Sequence, residues 1–87
     1  MLAAPAWPLA GTITLFSTPW CGSCGQLKRA LNTEGIAYAE VDIELVQDGA
    51  DYVMSVNGGN QTVPTVVFPD GSAATNPSLA EVRLRMG

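Results

Sequence analysis

The chain has 87 residues, 47% of them hydrophobic, with eight acidic side chains against four basic ones and a net charge of −4. That length makes one domain with a modest core; the acidic excess leaves no broad basic face for a nucleic-acid backbone, and no apolar run nears the roughly 20 residues needed to cross a bilayer. Two cysteines without any histidine exclude Cys-His hydrolase chemistry and histidine-containing zinc sites, and two thiols fall short of the four ligands of a structural zinc, so thiol redox chemistry or an inert pair remains.

Residues 1–11 are apolar, but they carry no Lys or Arg and are interrupted by Pro5 and Pro8. They read as an N-terminal arm that packs Trp7 against the body, or as an overextended start, rather than as an export signal, with the domain proper running from 12 to 87 and a cytoplasmic location. Thr12-Ile13-Thr14-Leu15-Phe16-Ser17 is rich in β-branched and aromatic residues and stops at Thr18-Pro19, which predicts a first strand. From Gly22 to Glu34 the apolar residues fall at Leu27, Ala30 and Leu31, and Gly35 follows, which predicts a helix. Ile36 to Ile43 alternates as a strand does, and a crossover of that length joins parallel strands.

A second helix is expected after Glu44, with Asp48 and Asp51 near its start, Tyr52, Val53 and Val56 as its stripe, and Asn57-Gly58-Gly59-Asn60 as its end. Thr65-Val66-Val67-Phe68 and Ser72-Ala73-Ala74, joined by Pro69-Asp70-Gly71, read as a hairpin. Asn76 as cap and Pro77 at the first helical position then predict a last helix carrying Leu79 and Val82, with Arg83 and Arg85 in its final turns. The order βαβαββα folds as a four-stranded mixed sheet with helices on both faces, its first two strands parallel and its hairpin antiparallel, which is the thioredoxin-like α/β fold.

Cys21-Gly22-Ser23-Cys24 lies between a strand and a helix. Cys21 is thereby expected at the helix N-terminus, with Cys24 buried one turn along beneath it. Free N–H groups and the helix dipole favour negative charge there, and the thiolate is the form that attacks a disulfide. Two intervening residues bring the sulfurs within bonding reach. Gly22 and Ser23 are small enough to leave the first sulfur open, and Ser23 offers a hydroxyl. A pair of buried, inert thiols is the plain alternative, but a strand end, Pro19-Trp20, the pair and a helix start coincide as a redox motif requires.

Thr62-Val63-Pro64 precedes the third strand. A proline there suits any strand start; in this fold the loop faces the cysteines, and a cis Val63-Pro64 bond would offer the Val63 backbone to an extended thiol substrate. Trp20 is expected as a wall of the substrate groove. Gly58-Gly59 lacks dinucleotide spacing and reads as a helix C-cap. The acidic run Glu40, Asp42, Glu44 reads as a solvated edge.

These residues resemble the glutaredoxins, and most closely the mycoredoxins among them. The likeness rests on Trp20-Cys21-Gly22 with Cys24, Ala37-Tyr38 leading to Glu40-Val41-Asp42-Ile43-Glu44, Ser55-Val56-Asn57-Gly58-Gly59-Asn60, Thr62-Val63-Pro64-Thr65-Val66, and Asp70-Gly71-Ser72 followed by Thr75-Asn76-Pro77-Ser78. It implies a thiol–disulfide oxidoreductase with no bound cofactor, in which Cys21 takes mycothiol from protein mixed disulfides and an NADPH-dependent reductase regenerates that co-substrate. Cys24 would resolve dithiol substrates. Thr62, Val63 and Pro64 would hold the thiol, and the turn of Thr75, Asn76 and Ser78 would close the groove. Its partners would be mycothiol and mycothiolated or disulfide-bonded proteins, with no nucleic acid, metal or membrane, and the chain would be a monomer.

The sequence departs from the family in carrying Gly22-Ser23 where glutaredoxins commonly have Pro-Tyr and mycoredoxins often a glycine and an aromatic residue, which removes a ring from the groove. The lysine that many glutaredoxins carry upstream of the first cysteine is also missing. Two alternatives stay open. One is a redoxin linked to ribonucleotide reductase and reduced directly by a flavin-dependent thioredoxin reductase. The other is a carrier holding a metal or cluster between two chains.

Overall fold

A computed structural model describes residues 12–86; the arm of residues 1–11, and with it the packing expected of Trp7, lies outside the described residues. Seven elements follow one another: β1 (Ile13–Ser17), α1 (Gly22–Thr33), β2 (Tyr38–Asp42), α2 (Gln47–Val56), β3 (Thr65–Val67), β4 (Ala73–Thr75) and α3 (Leu79–Met86). The strands form one sheet in the order β2-β1-β3-β4. β1 runs parallel to β2 and antiparallel to β3, and β3 is antiparallel to β4. The expected four-stranded mixed sheet is present.

Its two faces follow from the period of a strand, which sends alternate side chains to opposite sides. Ile13 and Leu15 of β1 join Leu27 and Leu31 of α1, Val66, Phe68 and Val82 of α3 in one core. Phe16 faces the other way and packs with Ile43, Ala50 and Val53 of α2 and with Val67. With helices over both faces, β1 is buried along its whole length.

The register carries the loops to one end of the sheet. Ser17, the last residue of β1, sits opposite Asp42, the last of β2, while Thr65 pairs with both Phe16 and Thr75. Cys21, the loop after β2, the Val63-Pro64 dipeptide and the turn after β4 therefore converge.

Several local expectations need correction. The last helix starts at Leu79 and is capped by Ser78, whose hydroxyl accepts the Glu81 N–H at 3.1 Å. Asn76 cannot serve as its cap. Its backbone has turned left-handed (φ +50°), and its N–H is committed to the Pro64 carbonyl at 2.7 Å. Pro77 thus belongs to the turn. The ladder of β2 is shorter than the apolar alternation from Ile36 to Ile43, because Gly35 (φ +70°) and the bond from Ile36 N–H to the Leu31 carbonyl keep the chain in a turn. Asp48 lies in the first turn of α2 as expected, whereas Asp51 lies further along and accepts from Gln47. Gly58 and Gly59, both with positive φ, end that helix, with the Gly59 N–H on the Met54 carbonyl at 2.8 Å.

Candidate active site

Cys21 is the N-cap of α1, in extended conformation, and its sulfur accepts the Cys24 backbone N–H at 3.1 Å. A side chain in this position satisfies one of the donors that a helix start leaves open, and a sulfur in that role sits where the helix dipole favours negative charge. The Cys21 thiol in turn donates to the Val63 carbonyl at 3.7 Å. The Val63-Pro64 bond is cis, and the Val63 N–H enters no backbone hydrogen bond among the described residues. The two cysteines are not bonded to each other.

The members of the pair differ in access. Cys21 is half-buried and Cys24 is 0% exposed. Burial, followed by the hydrogen bond with Cys21, pushes the Cys24 thiol from 9.0 up to about 12; the Thr18 backbone and the Lys28 charge act in the opposite direction. Cys24 is thus a closed-off, protonated thiol beneath an accessible one.

Around Cys21, Trp20 stands exposed on one side, Gly22 has open space where a side chain would be, and Thr62 and Val63 lie on the loop facing the sulfur. Pro64 is buried behind them. Ser23 is exposed and points into a different feature, a groove of about 290 Å³ between α1 and the turn before α3, which it lines with Gln26, Asn76, Pro77, Ser78 and Leu79 among others. Its hydroxyl makes no bond to Cys21; the Cys24 N–H does. Thr75 faces neither feature with its hydroxyl, which donates to Asn57 Oδ1 at 2.6 Å.

The acidic run lies, as expected, on the edge strand β2 and the loop after it, with Glu40 and Glu44 exposed, but its carboxylates are engaged in specific bonds. Glu40 Oε2 accepts from Lys28 Nζ at 2.8 Å and from the Ser17 hydroxyl at 2.7 Å, which holds its carboxyl below the usual range. Asp42 Oδ1 takes the Glu44 N–H, and Glu44 takes the indole N–H of Trp20 at 2.7 Å. Periodicity could not reveal these pairings, since the partners of Glu40 and Glu44 sit on elements brought alongside only by the sheet. Among the described residues no cluster of three or more potential metal ligands forms, and no helix is long and apolar enough to cross a membrane.

The family model for glutaredoxin matches residues 13–72. A protein of Mycobacterium tuberculosis described as a glutaredoxin is 53% identical over 78 residues, which cover 90% of this chain and 93% of that protein. Mycoredoxin 1 of Corynebacterium glutamicum is 41% identical over 70 residues, 80% of this chain and 86% of that one. A crystal structure of the thioredoxin-like protein BC3987 superposes with a TM-score of 0.71 at 22% identity, covering 84% of this chain and 97% of the other, which is a likeness of fold.

Proposed function

Since the chain belongs to the glutaredoxin family and is thereby a thiol–disulfide oxidoreductase with a Cys-Xaa-Xaa-Cys motif, we propose that it reduces mixed disulfides between mycothiol and protein thiols. The observation that carries the reading is the geometry of Cys21: a half-buried sulfur at a helix N-cap, on the Cys24 N–H and facing the Val63 carbonyl.

Cys21 attacks as the thiolate. Its sulfur bonds to the mycothiol sulfur, the protein–mycothiol bond breaks, and the protein sulfur leaves with the electron pair and takes up a proton. A second mycothiol then attacks the mycothiolated Cys21, which returns as the thiolate while oxidised mycothiol departs to an NADPH-dependent reductase. With a dithiol disulfide the second attack comes from Cys24. Thr62, Val63 and Pro64 would hold the thiol in extended form, Trp20 and the bare backbone at Gly22 would border the sulfur, and Ser23, Asn76 and Ser78, which line the neighbouring groove, would meet the outer part of the ligand, with Thr75 bracing that turn through Asn57.

The choice of thiol rests on charge as well as on the likeness to a mycoredoxin. Glutathione carries two carboxylates, whereas the sugar of mycothiol is neutral. Of the four cations, Lys28 is paired with Glu40, Arg83 with Glu34 and Arg85 with Glu81. That leaves Arg29 outside any ion pair among the described residues, which suits an uncharged ligand better than a dicarboxylate. The domain runs from residue 12 to 87, after an arm of residues 1–11, and the setting of a thiol-dependent reductase of this kind is the reducing cytoplasm.

The deciding experiment is turnover of a mycothiolated peptide with mycothiol, its reductase and NADPH, run beside glutathione with its own reductase and beside a flavin-dependent thioredoxin reductase alone. Turnover through mycothiol is expected. Activity only with thioredoxin reductase would overturn it in favour of a redoxin served directly by that enzyme.

A further inference from the structure

Cys24 presents a difficulty for its own role. Fully buried, and with its thiol pushed up to about 12, it must still ionise to close a disulfide with Cys21, because the thiolate is the attacking form. Two neighbours favour that ionisation, the backbone at Thr18 and the ammonium of Lys28. Lys28 follows Cys24 by four residues on α1 and so stands on the same face one turn along.

This lysine is anchored. Its Nζ donates to Glu40 Oε2 at 2.8 Å, and the same oxygen accepts from the Ser17 hydroxyl at 2.7 Å. Ser17 is buried at the end of β1, and Glu40 sits on β2 opposite Leu15. The sheet therefore fixes the carboxylate, and the carboxylate fixes the ammonium. The charged and titratable groups that face this arrangement are Cys21 and Lys28 around Cys24, and Glu40, Tyr38 and Cys24 around Lys28.

We propose that Lys28, held by Glu40 and Ser17, is the positioning residue that makes Cys24 competent to resolve a mixed disulfide on Cys21, and so governs reduction of dithiol disulfides separately from the monothiol route. The inference rests on Cys24 being the resolving thiol. When Cys21 carries a client sulfur its own thiol is gone, and with it both the hydrogen bond and the charge by which Cys21 opposes ionisation of Cys24. Burial then stands against Lys28 and Thr18 alone. Cys24 gives its proton to solvent base, and its sulfur attacks Cys21 Sγ. The Cys21–client bond breaks as the Cys21–Cys24 bond forms, and the client sulfur leaves with the electron pair and is protonated. On the monothiol route the attacking thiol comes from solution, and Lys28 has no such task.

The test compares Lys28→Met with Lys28→Arg, using a peptide with an internal disulfide and a mycothiolated peptide. Lys28→Met is expected to slow reduction of the internal disulfide about two- to fivefold at neutral pH, the effect of losing one partly exposed charge. The deficit should shrink as pH rises, and Lys28→Arg should restore most of the rate. In a Cys24→Ser background the same change should alter turnover of the mycothiolated peptide less than twofold. As a second readout, the ultraviolet thiolate absorbance of Cys24 in a Cys21→Ser chain should titrate at higher pH once Lys28 is Met, with Lys28→Gln replacing Met if the latter folds poorly.

Equal losses on both peptides, or an unmoved thiolate titration, would overturn the role given to Lys28. A Cys24→Ser chain that still reduces the internal disulfide would instead remove the resolving role of Cys24, so the two failures are distinguishable.

Discussion

The indole nitrogen of Trp20 donates to Glu44 Oε2 at 2.7 Å, tying the residue before Cys21 to the loop after β2 while the ring stays 72% exposed. A ring fixed at its nitrogen and open on its face is a rigid border for a substrate that approaches the sulfur. An exposed charge-assisted bond contributes about 1 kcal/mol or less. Glu44→Ala should therefore raise KM for a client disulfide about two- to fivefold, leave kcat within about twofold, and shift Tm little. Steady-state kinetics check this. An unchanged KM would remove Trp20 and Glu44 from substrate binding.

What the sequence showed and what it hid divide along a physical line. The strand-helix alternation was legible because Thr12 to Ser17 and Leu27 to Leu31 carry the periods of their own elements, and Cys21 and Cys24 were legible because their chemistry depends on a spacing of three along one helix turn. The start of α3 was not. Asn76-Pro77 has the local signature of a helix start, but Asn76 N–H goes to Pro64, twelve residues away, and that bond keeps the turn open until Ser78. The pairings of Lys28 with Glu40 and of Trp20 with Glu44 join residues 12 and 24 apart. They depend on the β1–β2 register, which no one-dimensional pattern states.

Asn57 illustrates the same gap. Local reading makes it the end of α2; the structure also makes it a strut under the loop that carries Val63 and Pro64. Its Nδ2 donates to the Val53 carbonyl at 2.8 Å and to Thr65 Oγ1 at 3.2 Å, and its Oδ1 accepts from Thr75 at 2.6 Å. Thr65 keeps a second bond to the Thr62 carbonyl, so Asn57→Ala should cost about 1–3 kcal/mol, which lowers Tm by about 4–8 °C for each kcal/mol in a domain of this size. Asn57→Asp keeps the acceptor for Thr75 and loses both donors, and should unfold at nearly as low a urea concentration.

Gly49 is set by packing. A Cβ there would meet Val41 Cγ1 at 2.9 Å and two Phe16 ring carbons at 3.4 Å. In an exposed helix, glycine to alanine would stabilise by about 1 kcal/mol. Here α2 lies too close to the sheet, and β-branched Val41 has little freedom to rotate away. Overpacking of this kind costs about 1–3 kcal/mol, so Gly49→Ala should be net destabilising, by about 1 kcal/mol, in urea unfolding. Val41→Ala in the same chain should recover part of the loss, since it removes the methyl group that a Cβ would strike.

Cys24 also makes the reduced protein sensitive to alkali. The folded state keeps the Cys24 proton up to about 12, whereas an unperturbed thiol releases it near 9.0. Below the lower value both states are protonated, and the stability this thiol contributes is fully present. As pH rises from about 9 towards 12 the unfolded chain ionises first and binds fewer protons than the folded one, so stability falls by up to about 1.4 kcal/mol per pH unit from this group. Lys28 and Tyr52 are also shifted upward and add their own alkaline slopes, so a comparison between chains isolates Cys24. Urea unfolding of the reduced wild type and of Cys24→Ala should show a steeper alkaline loss in the wild type, with parallel curves below pH 8. Parallel curves throughout would mean that Cys24 ionises as easily folded as unfolded, and burial would then place no barrier before its attack on Cys21.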